Sequence, residues 1–257
     1  MFTFIFYFCF SIAVLFLYGG LLFSQDTNHY LRRRDKEQEL LTQAEPIRKT
    51  GYISSNTKTG HSLNFPILNC TPTKICASSC YACLGPTSWK ASLLKALAIE
   101  NTLQSNMGYA LTETVGEIKK LSLTELRYSG GGDLSDHGVN YIIELAALCP
   151  DVIFWGFTRK IRVAEKLASS GKSNIKVIYS LDAKTSLAAI LKIKELGIKT
   201  SWLYNDQANI IPKDIHIVFV NHVHGSPDPS LKEVNNECPA IRKHQVTCFN
   251  CKKCFNF

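Results

Sequence analysis

From residue 61 onward the chain alternates short apolar runs with longer stretches of helical periodicity, and this alternation restricts the fold more than any other feature. Residues 62–68 have the length and composition of a buried strand, and residues 70–86 follow as a loop rich in cysteine. A helical stretch over 88–120 leads to a second strand at 123–128. That strand runs into Ser129-Gly130-Gly131-Gly132-Asp133, and Pro150 ends the helix predicted over 136–148. The cycle repeats with a strand at 152–157, a helix at 159–169, a strand at 175–181 and a helix at 184–196, with Gly171 and Gly197 behind the two helices. Strands at 198–204 and 215–220 complete the series. Six strands separated mostly by helices predict an α/β fold with parallel strands and right-handed crossovers. The expected architecture is a partial (β/α)6, TIM-like barrel, with an open doubly wound sheet as the alternative.

In either arrangement function sits at the C-terminal ends of the strands. The residues there are polar at all six ends: cysteines after the first, Gly130 to Asp133 after the second, then Thr158-Arg159, Ser180 with Asp182, Asn205-Asp206, and Asn221, His222 and His224. Each alone is compatible with a turn or a helix cap. Together they predict one shared site. No glycine-rich nucleotide loop is present, because Gly130 to Gly132 lack both the G-x-G-x-x-G spacing and a following Lys-Ser or Lys-Thr, and no nucleophile triad is visible.

At 257 residues the chain is long enough for one sizeable core, and an apolar share of 46% with 19% charged residues is that of a globular protein. The net charge of +8 is scattered, apart from Arg32, Arg33, Arg34 and Lys36 near the start and Lys252 and Lys253 near the end. A solvated basic surface accounts for it, and nucleic-acid binding is the alternative.

Residues 1–24 carry no charged side chain, and as a helix they span the roughly 30 Å hydrocarbon layer. They read as a transmembrane helix rather than a cleaved signal, which would begin with a basic residue. The basic cluster after it places the folded body in the cytoplasm, membrane-tethered. If the start is mis-assigned, the protein is simply cytoplasmic. Residues 25–60 read as a linker with one short helix near 35–44, residues 61–230 as the barrel-like domain and residues 231–257 as a cysteine-rich tail.

Ten cysteines are too few for a disulfide scaffold of this length, and eight of them fall into two groups, which points to metal. Cys76, Cys80 and Cys83 have the spacing C-x3-C-x2-C, which lets three thiolates converge on a [4Fe–4S] cubane with one iron left open. Cys70 is a possible fourth ligand; were it to bind, the site would close and suit zinc or an electron-transfer cluster. In the tail, Cys238, Cys248, Cys251 and Cys254 offer four thiolates for a second [4Fe–4S] cluster or for zinc. Cys9 and Cys149 stand alone and read as packed thiols. His222 and His224 alternate along an extended run and suit either a metal or a turn; Arg159 and Arg162 suit either an anion or a snorkelling role.

The cysteine spacing, its place after the first strand and the glycine turn after the second resemble the radical S-adenosylmethionine enzymes. Within that likeness the chain is most similar to the phage gene-product-88 family, through Cys80-Tyr81-Ala82-Cys83, Arg127 to Asp133, Phe154 to Arg159, Ser180-Leu181-Asp182 and the cysteine-rich tail. The resemblance implies that Cys76, Cys80 and Cys83 ligate the cluster, that Gly131, Gly132 and Asp133 receive the amino group of S-adenosylmethionine, and that Ser180 and Asp182 contact its ribose. This sequence departs from the radical pattern in two respects: the aromatic residue, Tyr81, follows the second cysteine rather than preceding the third, and Cys70 supplies a possible fourth thiolate. Two functions are therefore expected: an enzyme generating a 5′-deoxyadenosyl radical on a substrate the sequence does not name, or a non-catalytic, metal-stabilised binding protein, with nucleic acid as one candidate partner.

Overall fold

A computed structural model describes residues 27–46, 51–57, 59–205, 210–220, 222–223, 226–227, 234–242 and 245–256. Helix α1 spans Asn28–Leu40, and a hairpin of β1 (Ser54–Asn56) and β2 (Gly60–Ser62) follows. Helices α2 (Lys74–Ser78) and α3 (Lys90–Lys120) lead to β3 (Glu125–Arg127), α4 (Asp136–Leu148), β4 (Ile153–Thr158) and α5 (Ile161–Ala168). Next come β5 (Ile175–Leu181), α6 (Leu187–Glu195), β6 (Lys199–Tyr204) and β7 (Ile217–Val220). The short strands β8 (His222–Val223) and β9 (Ser226–Pro227) and the single-turn helices α7 (Pro239–Arg242) and α8 (Cys248–Cys251) close the chain.

Strands β1 to β7 form one sheet in sequential order; β2 to β7 are parallel, and β1 is antiparallel to β2 at the edge. Because each right-handed crossover steps to the next strand in the same direction, the crossover helices lie on one face. Leu126 and Phe154, in register with each other, are fully buried among the helical residues Tyr141, Ile142 and Leu145. The alternate residues Arg127, Trp155 and Phe157 point to the other face, where Phe255 from the tail stacks on Trp155 at 5.0 Å between centroids.

Local chemistry explains the element ends. Ser135 and Ser186 cap α4 and α6 by accepting from Gly138 N (3.0 Å) and Ala189 N (3.3 Å). The long α3 kinks at Asn106, whose side chain accepts from Tyr109 N and restarts the helix.

Two parts of the expected architecture are corrected. The six-stranded partial barrel is an open seven-stranded sheet with an antiparallel edge strand. The run over 62–68 contributes little of its expected strand because Pro66 has no N–H to donate and Ile67–Asn69 coil into a 3-10 turn. The extra strand comes instead from pairing Ser54–Asn56 across the Gly60 turn. The transmembrane helix expected over 1–24 lies outside the described residues, and among the described residues no helix is long and apolar enough to cross a membrane.

Residues 28–40, expected within a linker, form a helix docked on the cysteine loop. Tyr30, Arg33, Glu37 and Leu40 make its buried side, and Tyr30 OH donates to Ile67 O at 3.3 Å.

Candidate functional site

The loop from Asn69 to Trp89 lies across the C-terminal ends of the parallel strands, held from three directions. From α1, Arg33 pairs with Glu37 at 3.0 Å and donates to the carbonyls of Ala82 and, at 2.8 Å, Thr87; Glu37 in turn accepts from Leu68 N at 3.1 Å. From the glycine turn, the carbonyl of Gly131 accepts from Phe65 N at 2.8 Å and that of Gly130 from Tyr81 OH at 2.7 Å. The third hold comes from β5 through Asp182.

Asp182 is fully buried. Its carboxylate accepts a hydrogen bond from Thr73 Oγ1, pairs with Arg159 Nη1 at 2.9 Å and accepts from Lys184 N at 2.9 Å. Thr73 also caps α2 by accepting from Cys76 N at 3.1 Å. One carboxylate therefore fixes both the helix that carries Cys76 and the arginine beside it. Burial pushes the Cys76 thiol up, while the Arg159 guanidinium, which hydrogen-bonds it, opposes that shift. Cys70 is pushed up chiefly by burial. Cys80 and Cys83 lie close enough to share one proton, which lowers the Cys80 thiol and raises that of Cys83.

The predicted residues do gather here, though not all as free ligands. Gly131 and Gly132 flank the loop, with Ala82 Cβ 4.0 Å from where a Gly131 side chain would begin. Asp133 is turned inward, accepting from Leu134 N (2.8 Å), Thr158 Oγ1 (3.0 Å) and Arg159 N (3.3 Å). Ser180 accepts from Ser201 Oγ at 3.2 Å and lines an open cleft of about 330 Å³ shared with Thr71, Thr73, Arg159, Lys160 and Tyr179. Arg162 makes an exposed pair with Asp136 at 3.0 Å, away from this cleft. His222 lies in β8; His224 and Asp206 fall outside the described residues.

The tail runs to the other end of the sheet. Cys238 N donates to Val218 O at 2.8 Å, and His216 Nε2 lies 2.8 Å from the carbonyl of Lys253. Cys238 and Cys254 are buried, and burial raises their thiols to about 11 and about 12, with Cys248 and Cys251 near enough to add to both. The expectation of ready metal-binding groups is corrected. Among the described residues no three or more His, Cys, Asp or Glu side chains stand in an arrangement that could hold a metal ion. Sequence spacing brings the thiols into one neighbourhood, but among the described residues no three of them converge on one point.

The residues that the sequence reading missed are Thr73, Arg33, Glu37 and Lys160, whose Nζ donates to Asn69 O (3.2 Å) and Leu134 O (2.7 Å). Thr73 left a trace as a hydroxyl three residues before Cys76, the spacing of a cap.

Burial raises Asp133 from 3.8 to about 6, against the hydrogen bonds that lower it. Because its folded pKa is the higher one, the stability it contributes is full below about pH 3.8 and lost as pH rises through about 6. A shift of this size corresponds to roughly 3 kcal/mol. Urea melts at pH 4 and pH 7 should therefore show Asp133→Asn gaining about that much on the wild type across the interval. Parallel pH profiles for the two proteins would refute the buried-carboxylate account.

These features define an α/β protein whose thiol-rich loop is clamped over the C-terminal ends of a mostly parallel sheet. A family model described as Gene product 88 matches residues 29–256, and the chain belongs to that family. No curated protein matches it.

Proposed function

We propose that the chain is an iron–sulfur enzyme of the radical S-adenosylmethionine type, with its site at the cysteine loop. The observation that carries this reading is the meeting of Cys76, Cys80 and Cys83 with the glycine turn at one mouth of a parallel sheet, beside a cleft large enough for a nucleoside-sized group. The donors suit the cluster in kind and place: three thiols stand on one loop beside the glycine turn. To hold a cluster the three thiols would have to converge from the positions that the loop gives them.

When bound, the cluster and S-adenosylmethionine supply a 5′-deoxyadenosyl radical through one-electron cleavage of a carbon–sulfur bond. The chain's own part is positioning. Thr73 and Asp182 hold the Cys76 helix, Arg33 holds the loop through the Ala82 carbonyl, and Tyr81 ties the loop to Gly130. Ser180 in the cleft is available for a ribose hydroxyl. Asp182 and Asp133 would act by fixing the walls, since their oxygens are already engaged.

The second reading is a non-catalytic, metal-stabilised binding protein with nucleic acid as one candidate partner, and the net charge of +8 with the four-cysteine tail supports it. Anaerobic reconstitution of the full chain with iron and sulfide separates the two. The enzyme reading expects about four to eight irons per chain and release of 5′-deoxyadenosine from S-adenosylmethionine under strong reductant. Cys80→Ser should lose both signals, and Cys70→Ser should keep them. Colourless, folded protein without cleavage would leave the binding reading.

A further inference from the structure

Arg127 is a charged side chain that the reading above leaves unused. It stands on β3 facing away from the helices, between the cysteine mouth and the tail, and is only 9% exposed. Its Cζ lies 5.4 Å from the ring centres of Trp155 and Phe157 and 5.9 Å from that of Tyr81. Nη2 donates to Tyr81 OH at 3.0 Å, whereas Nε is buried with no hydrogen-bond partner. Among the described residues Arg127 has no ion-pair partner. Aromatic faces offset part of the cost of burying a cation, but they do not satisfy its N–H edge.

We infer that Arg127 is the anchor of a carboxylate-binding site on this face of the sheet. Three rings crowd the guanidinium and Tyr81 OH engages Nη2, so the unpaired group is Nε–H; a planar carboxylate, which accepts from neighbouring guanidinium N–H groups in one plane, is the anion that fits it. A dianion such as phosphate would bring a second charge that one guanidinium does not neutralise. The surroundings suit an apolar or aromatic body on that carboxylate. Phe157, Leu203 and Phe219 on the same face are only half-buried, and Phe157 and Phe219 meet edge to face at 5.4 Å. Tyr81, more than half exposed, forms the outer wall and belongs to the cysteine loop, so a bound carboxylate would lie beside the mouth. Describing that carboxylate as the substrate rests on the enzyme reading; its binding does not.

Benzoate is the probe, with benzamide as its neutral counterpart and inorganic phosphate as the dianion, read by thermal shift on the full chain without iron. Benzoate should raise the melting temperature saturably and the other two should not. Arg127→Met should remove that response. With no buried cation left to compensate, Arg127→Met without ligand should also melt at or above the wild-type temperature. Arg127→Lys should keep a weaker benzoate response. In ¹⁵N spectra the Arg127 Nε–H resonance should move on titration with benzoate. The site is refuted if benzoate acts no better than benzamide on the wild type, or equally on Arg127→Met. It is refuted too if Arg127→Met melts several degrees lower without ligand, since the guanidinium would then already be compensated by the rings and Tyr81 OH. Benzoate binding without cofactor cleavage would sink the enzyme reading alone.

Discussion

Gly132→Ala is expected to cost about 4 kcal/mol or more and Gly131→Ala next to nothing, although the two glycines are adjacent in one motif. Gly132 has φ +72°, and a methyl there would collide with the carbonyl oxygen of Phe65, with Phe65 C at 2.6 Å and Pro66 O at 2.7 Å. These are backbone atoms and cannot rotate away, so left-handed strain and overpacking both act. At Gly131 the nearest atoms are Asn64 Oδ1 at 3.7 Å and Ala82 Cβ at 4.0 Å, ordinary contacts, and the loss of unfolded-chain freedom should offset any cost. Urea unfolding of the two variants measures the contrast. Equal losses would mean that the turn does not press against the chain entering the cysteine loop.

Asp182→Ala should be nearly as damaging, at roughly 3–5 kcal/mol, the usual cost of removing one member of a buried ion pair. Four groups lose their acceptor together: the Arg159 guanidinium, itself 12% exposed, the Thr73 and Thr185 hydroxyls and Lys184 N. Because Thr73 caps the helix bearing Cys76, alkylation of Cys76 by a neutral maleimide should accelerate in the folded variant, read by mass spectrometry of the Cys76 peptide. Exposed pairs behave differently; Asp136→Ala, which breaks only the surface pair with Arg162, should change stability by under about 1 kcal/mol. A similarly small loss for Asp182→Ala would remove it as the link between β5 and the cysteine loop.

The parallel strands and the helices between them were legible because each carries its own period and stop signals. Ser135, Ser186 and the glycine turn are local chemistry, decided within a few residues. The gathering of the cysteine loop, Gly131 to Asp133, Ser180 and Asp182 at one mouth follows from parallel topology. The first strand was misjudged because apolar content over 62–68 hid the missing donor of Pro66, and the β1–β2 pairing depends on a turn with no hydrophobic signal.

What the chain's order of residues could not carry is direction in space. Arg33 and Glu37 are visible as an i, i+4 pair, yet only the docking of α1 shows that the pair holds the Ala82 carbonyl in the cysteine loop. Asp133 and Asp182 have the residue type of ligands, and the fold spends both on internal hydrogen bonds, because the buried hydroxyls, N–H groups and guanidinium around them would otherwise lack acceptors. Cysteine spacing sets which thiols can meet; whether three of them converge on one point is decided by the packing of the loop. Arg127 shows the same division: its sequence neighbours mark a strand end, and only the crossing of β3, β4 and the loop wraps three rings around a cation with an unpaired Nε. Period and punctuation act over a few residues, whereas burial and charge compensation are settled by partners that the chain brings together from dozens of residues away.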